Sequence, residues 1–334
     1  MVIEEGGENM DENLFAKIPT ILFYEIIEDE ITERNKCVKE NSILTNIRDS
    51  KVLLILYQLY IRTNYTNECD TSVSKLINKC NYFSNTKTKD EFKSILNNLC
   101  NLKYINTSDD INKLKHNDLI TFGTSKLIDM DSFVILEQKE LNTITSSSTS
   151  NKEILNLLKV YLYLKCKCNK RKDGDNIQKA GGRAQVAYPS YNNITEYTYT
   201  SESHIVEYIT KLKELGMIEY RNLGKKYLEN DPNKKITDCT NLYVITNLVQ
   251  GEYVDLEFKE GLKQQRNFYE KDGYIIINDN SINDKSIYGR KGYLTKKLNN
   301  NTITEKEIKE LELIDTDIEE YKTKYKPKKE KKRE

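Results

Sequence analysis

PSYNNITEYTYTSESHIVEYITKLKELGMIEY (189–220) is the stretch whose reading decides the fold. A short helix opens at Ser190, a polar turn follows, and a second amphipathic helix runs towards a strand. Ile205, Ile209 and Leu212 fall at i, i+4 and i+7, which places three apolar side chains on one helical face. Gly216 stands where a left-handed residue closes a helix, and Ile218 resumes the apolar ladder beyond it. The same layout occurs earlier, in SVSKLINKCNYFSNTKTKDEFKSILNNLCNLKYI (72–105). There Phe92, Leu96, Leu99 and Ile105 take the equivalent places, and Lys103 stands where the later copy has Gly216. VLLILYQLYIRT (52–63) and ILNLLKVYLYLK (154–165) read as matching first helices. The repeat is therefore helix, helix, helix and a β wing, and it predicts two tandem winged helix-turn-helix domains.

The fold class expected is mainly α with small β wings, an α+β chain ending in a helical and basic extension. FAKIP (15–19) predicts a short extended opening to the first domain, followed by helix through EIIEDE (25–30). The first wing is placed in YINTS (104–108) and LITFG (119–123), with the polar loop DDINKLKHND between them. SFVILEQKEL (132–141) reads as a strand leading into a helix. TITSSSTS (143–150) predicts a linker between domains over 14–142 and 151–255, and doubles as a cap region for the helix near Asn151. The second wing is placed in MIEYRN (217–222) and NLYVITN (241–247). Residues 1–13 and the tail KTKYKPKKEKKRE (322–334) read as disordered. KCKCNKRKDGDNIQKAGGRAQVAY (165–188) reads as a surface loop. After about 255 the pattern weakens: GYIIINDN (273–280) is a strand or a turn of helix. A helix with a Thr304–Glu307 capping box is expected beyond it.

Lys+Arg and Asp+Glu both total 52 among 334 residues, so no global field draws the chain to nucleic acid. Local asymmetry takes its place. The first 50 residues are acidic, residues 151–226 carry an excess of roughly six positive charges, and the tail is basic. Seven cysteines, an odd number, and the lack of a secretory signal point to a reducing cytoplasm. No apolar run is long enough for a membrane helix. Catalytic constellations are missing: there is no GxxxxGK[ST], no His-apolar-His pair near a Tyr, and only two histidines. Cys166 and Cys168 have no second Cys or His pair at zinc spacing, so neither metal nor cofactor is expected, and the chain reads as a non-enzyme.

The outward residues of the two second helices are the candidate DNA contacts. In the later copy these are Ser203, His204, Glu207 and Lys211, with Ser201 as cap; Glu202 and Glu207 are awkward neighbours for phosphate. In the earlier copy they are Lys87, Lys89, Lys93 and Asn97. Lys225, Lys226, Lys234 and Lys235 of the second wing, and Arg171, Lys172 and Arg183 of the insert, suit backbone phosphate. The plainer alternative for each is a solvated surface charge. For the helices it is a winged helix used for protein contacts.

FAKIP (15–19), LKVYLYLK (158–165) and the run from Tyr188 to Tyr220 carry a resemblance. The chain resembles the replication initiators of plasmids and phages from low-GC Gram-positive bacteria, and DnaD-type primosomal winged helices, over about 14–140 and 151–250. The resemblance implies binding to iterated origin repeats in double-stranded DNA, recruitment of a host helicase or helicase loader, and action as a homodimer. By the same resemblance Ser201 to Lys211 is the recognition segment and Thr88 to Asn97 its counterpart. Glu202 and Glu207 depart from the usual basic or polar pattern. The alternatives are a transcription regulator or partition adaptor at promoter or centromere-like repeats, and a protein-interaction scaffold.

Overall fold

The computed structural model describes residues 14–29, 34–129, 131–168, 184–231, 235–249, 251–277, 284–300, 302–304, 307–308 and 311–312. Helix dominates, with small antiparallel sheets, as the composition and periodicity predict. Strand β1 (Phe15–Pro19) pairs with β6 (Phe133–Glu137), placing Ile18 opposite Val134. Alternation drives this pairing: Ala16, Ile18, Val134 and Leu136 all face inward and are buried. The helix expected after FAKIP is replaced by one 3-10 turn over Thr20–Leu22 and a hairpin of β2 (Glu25–Asp29) and β3 (Arg34–Val38). Adjacent β-branched Ile26 and Ile27 suit that ribbon better than a helix.

The first helical group follows: α1 (Ile43–Ile47), α2 (Val52–Ile61), β4 (Glu68–Thr71), α3 (Val73–Lys79), α4 (Thr86–Asn101), β5 (Ile120–Gly123) and α5 (Ser125–Ile128). β4 pairs with β5, and Asn106 bridges to Gly123 on the other side. A Cβ at Gly123 would lie 2.1 Å from the Asn106 side-chain amide oxygen, so a larger residue there would force that side chain to move. The second group holds α6 (Gln138–Ser146), α7 (Asn151–Lys167), α8 (Tyr191–Thr198) and α9 (Glu202–Glu214). β7 (Ile218–Asn222) pairs with β10 (Asn241–Ile245) where the second wing was expected.

Local signals place the helix ends. Ser72, Asn85 and Ser190 accept from the backbone N–H three residues on, as N-caps should. Gly216 has φ +69°, and Lys103 at the equivalent place has φ +60°. A non-glycine residue there costs roughly 1 kcal/mol. Lys103→Gly is therefore expected to raise the unfolding free energy by about that amount. A urea melt with an unchanged or lower midpoint would contradict this.

The segment expected to be a linker is mostly structured. Helix α6 runs through Ser146, and Ser147, Ser148 and Ser150 make short local hydrogen bonds before α7. The chain does divide into two compact units, but elsewhere. One holds the described residues through Arg221 together with Thr240–Gly261; the other holds Asn222–Cys239 and the described residues from Leu262 on. The first unit contains both helical groups, and one continuous core joins them, from Ala16 and Phe23 through Leu96 to Tyr163, Ile209 and Ile245. Helix α7 is buried on all sides, which no free-standing three-helix group would allow. Aromatic contacts reinforce the joint: Tyr163 stacks on Tyr197 at 5.5 Å, and Tyr24 meets both rings edge-on. The Lys167 ammonium lies 3.8 Å from the Tyr24 ring centre.

A polar node sits in the same core. Glu140 of α6 and Lys165 of α7 pair at 2.6 Å with side chains 0% and 3% exposed. Tyr161 donates to the same carboxylate, Asn247 donates at 2.9 Å, and the Glu137 N–H donates at 2.8 Å to its other oxygen. Burial beside this carboxylate pushes the Tyr161 phenol far above its ordinary pKa.

In the second unit β8 (Lys225–Leu228) is the middle strand between β9 (Thr237–Asp238) and β11 (Tyr274–Ile277). GYIIINDN is thus a strand in its described part. Helix α10 (Val254–Lys271), across which the division falls, was illegible in sequence because its inward ladder mixes Phe258 and Tyr269 with Gln265. Helix α11 (Asp284–Asn299) follows, and Thr304 and Glu307 form the expected capping box. Residues 1–13, most of the insert and the basic tail lie outside the described residues.

Candidate nucleic-acid interface

In the first helical group a short turn joins α3 to α4. Phe92, Leu96 and Leu99 bury one face of α4. The opposite face is only partly open. The loop expected to project as a wing folds back onto α4 instead. Lys93 donates its Nζ hydrogens to the carbonyls of Leu114 at 2.6 Å and Asn112 at 3.3 Å, and the Asn97 amide donates to Asn112 Oδ1 at 2.8 Å. Ile111 is buried beneath the loop, and the His116 carbonyl accepts from Ser74 N–H at 3.0 Å. His116 sits close to Lys89 and Lys93. Burial first, and those two cations second, lower its pKa against the opposing pull of Asp90. Lys93 and Asn97 are thus engaged in holding the loop, partners that their expected role in DNA contact did not include. A buried apolar anchor at Ile111 within a polar run is the signal that was available.

The N-terminal end of α4 remains open. Lys87 is exposed, Lys89 half-buried, and the first turn carries no acidic residue. Lys75 and Lys79 of α3 are exposed, and Phe83, in the turn between the helices, is 82% exposed.

The matching helix α9 differs in charge. Ser201 occupies the N-cap position, but its hydroxyl pairs with Ser203 Oγ at 2.8 Å and makes no capping bond. His204 and Glu207, three residues apart on the exposed face of the helix, pair with each other at 3.0 Å. Lys211, expected to meet phosphate, forms an ion pair with Glu153 of α7. The Lys211 ammonium and then the Ser148 hydroxyl hold the Glu153 carboxyl below its usual range. Lys213 pairs with Glu219 at 3.1 Å. The outer face of α9 therefore presents Glu202, Glu207 and Glu214, with its lysines neutralised, around an exposed Val206. The residue types were visible in sequence; the partners of Lys211 and Lys213 were not.

The second unit carries the wing lysines. Lys226 lies 3.6 Å from the Tyr269 ring centre and 4.4 Å from that of Tyr274, so it is part of that unit's packing. Lys225 and Lys235 are exposed. Arg171, Lys172, Arg183 and Lys234 lie outside the described residues. Cys168 ends α7, and burial raises its thiol to about 12, which suits an inert core position. Among the described residues no group of three or more His, Cys, Asp or Glu could hold a metal, and no helix is long and apolar enough to cross a membrane. No family model, curated protein or solved structure matches the chain.

Proposed function

We propose that each helical group with its strands is a winged helix-turn-helix, and that the first binds double-stranded DNA through the N-terminal end of α4. The observation that carries this reading is the acid-free first turn of α4 with its exposed Lys87, together with the exposed Lys75 and Lys79 of the preceding helix α3. A helix N-terminus already favours phosphate through its free N–H groups and dipole, and lysines add counterion release. Phe83 beside it offers an apolar surface to sugar or base edges. The role that fits best with the sequence resemblance is replication initiation at iterated origin repeats, with transcription or partition control as the alternative.

The second group supports a different use. Acidic Glu202, Glu207 and Glu214 around Val206 repel phosphate and suit a basic protein partner, such as a host helicase or its loader. One chain then reads DNA with its first group and recruits protein with its second.

Lys75→Glu with Lys87→Glu is expected to weaken duplex binding by roughly tenfold or more and to reduce the salt slope by about one per lysine. Glu207→Lys should leave duplex binding unchanged or tighter. Lys93→Glu and Lys211→Glu make poor tests, because each disturbs a structural contact. Gel shifts and footprinting of DNA flanking the gene at two salt concentrations supply the readout. If the double variant shifts duplex as well as the parent does, the α4 reading fails. If the parent shifts no duplex even at low salt, the chain is a protein scaffold.

A further inference from the structure

Helix α7 carries two buried lysines. Lys165 has Glu140 as its counter-ion, whereas Lys159 is 4% exposed and has no carboxylate beside it among the described residues. Burial alone lowers the Lys159 pKa, to about 8. The side chain borders a cavity of about 350 Å³ lined by Leu44, Arg48, Ser50, Lys159, Thr198 and Tyr199. That volume lies in the range of small-ligand sites. The lining holds two cations and no acidic group. Asp49, between Arg48 and Ser50 in sequence, is engaged by Lys51 at 2.9 Å.

The surrounding backbone is built for this shape. Arg48 closes α1 with φ +56° and Tyr199 closes α8 with φ +52°, two non-glycine residues in the left-handed region that both line the cavity. Such residues persist where their surroundings hold them. Tyr199 is fixed by its hydroxyl contact with Thr45 Oγ1 at 2.8 Å and by Lys39 over its ring at 4.4 Å. Thr198 donates internally, to the Ile194 carbonyl at 2.6 Å. The lining residues with donors left to offer are Lys159, Ser50 and Arg48, whose exposed guanidinium also donates through Nε to the Thr45 carbonyl at 3.4 Å, and Leu44 and Tyr199 supply the apolar lining.

We propose that this cavity binds the terminal phosphate of a small phosphomonoester, with Lys159 and Arg48 matching its two charges and Tyr199 flanking the attached group. A phosphomonoester carries close to two negative charges at neutral pH, which balances two cations. A phosphodiester of a DNA backbone carries one, and its two ester links hinder approach to a side chain as buried as Lys159. The site is separate from α4, so it stands or falls independently of DNA binding there.

Isothermal titration of the full chain tests this with phenyl phosphate, inorganic phosphate, dimethyl phosphate and a short duplex. Phenyl phosphate is expected to bind and raise the melting temperature, inorganic phosphate to bind more weakly, and dimethyl phosphate not to bind. Lys159→Met, which keeps an unbranched chain one atom shorter and removes the charge, should lower phenyl phosphate affinity roughly tenfold to a hundredfold. Arg48→Gln should lower it as well, with the fold intact. Equal affinity in the parent and Lys159→Met, or no binding of phenyl phosphate at millimolar concentration, would overturn the assignment. So would dimethyl phosphate or duplex displacing phenyl phosphate, which would make the cavity a backbone contact.

Discussion

Glu140→Ala is expected to lower the unfolding free energy of the first unit by about 3–5 kcal/mol, the usual cost of stranding one partner of a buried ion pair. The carboxylate is an acceptor for Lys165, Tyr161, Asn247 and the Glu137 N–H together, and neither charged side chain has useful access to water. Removing it leaves the Lys165 ammonium and the Tyr161 phenol buried without this acceptor. Glu140→Gln keeps two acceptor lone pairs and should cost less. Replacing Glu140 and Lys165 together by Met removes both charges and should recover most of the loss, because desolvation offsets much of what the pair contributes. Urea unfolding followed by far-UV circular dichroism is the measurement, since the chain has no Trp. A loss below about 1 kcal/mol for Glu140→Ala would place the pair among the weak surface bridges and contradict its burial.

The second large effect has the opposite sign. Lys159→Met is expected to stabilise the protein by up to about 3 kcal/mol at pH 7, from a fall in pKa from 10.5 to about 8. The direction follows from proton counting. Between about pH 8 and pH 10.5 the unfolded chain holds the lysine proton more tightly than the folded one, so stability rises with pH across that window. Below pH 8 the folded state bears the whole cost of a buried cation. The gain from Met should therefore be largest at pH 7, shrink above pH 8 and vanish near pH 10.5. Comparing parent and variant at each pH cancels the titration of the tyrosines. A variant that is less stable than the parent at pH 7 would mean that Lys159 has a favourable partner. Retaining a group at this cost is what a binding residue does, because ligand and stability compete for it.

The two lysines show where sequence reading stops. ILNLLKVYLYLK announces a helix with apolar residues on every side, so Lys159 and Lys165 are both legible as lysines in a buried helix. That one meets Glu140 and the other faces an anion-sized cavity is invisible, because Glu140, Arg48 and Tyr199 reach α7 from distant parts of the chain. The partners of Lys93 and Lys211, Leu114 and Glu153, are invisible for the same reason: they are set by how a loop and a neighbouring helix fold over them. The Ser/Thr stretch at 143–150 has the composition of a linker, yet tertiary packing of Leu141 and Ile144 draws its first half into a helix.

The sequence alone determined the features that depend on neighbours within a turn or two. The helix starts at Ser72 and Ser190, the left-handed end at Gly216, and the inward ladders of α4 and α9 follow from backbone hydrogen bonding and a 3.6-residue period, both local. Only the tertiary structure decided that the two helical groups share one core, which lysines are neutralised and which stay available. Those outcomes depend on desolvation and on charges brought within a few ångströms by distant segments, and no periodicity encodes them.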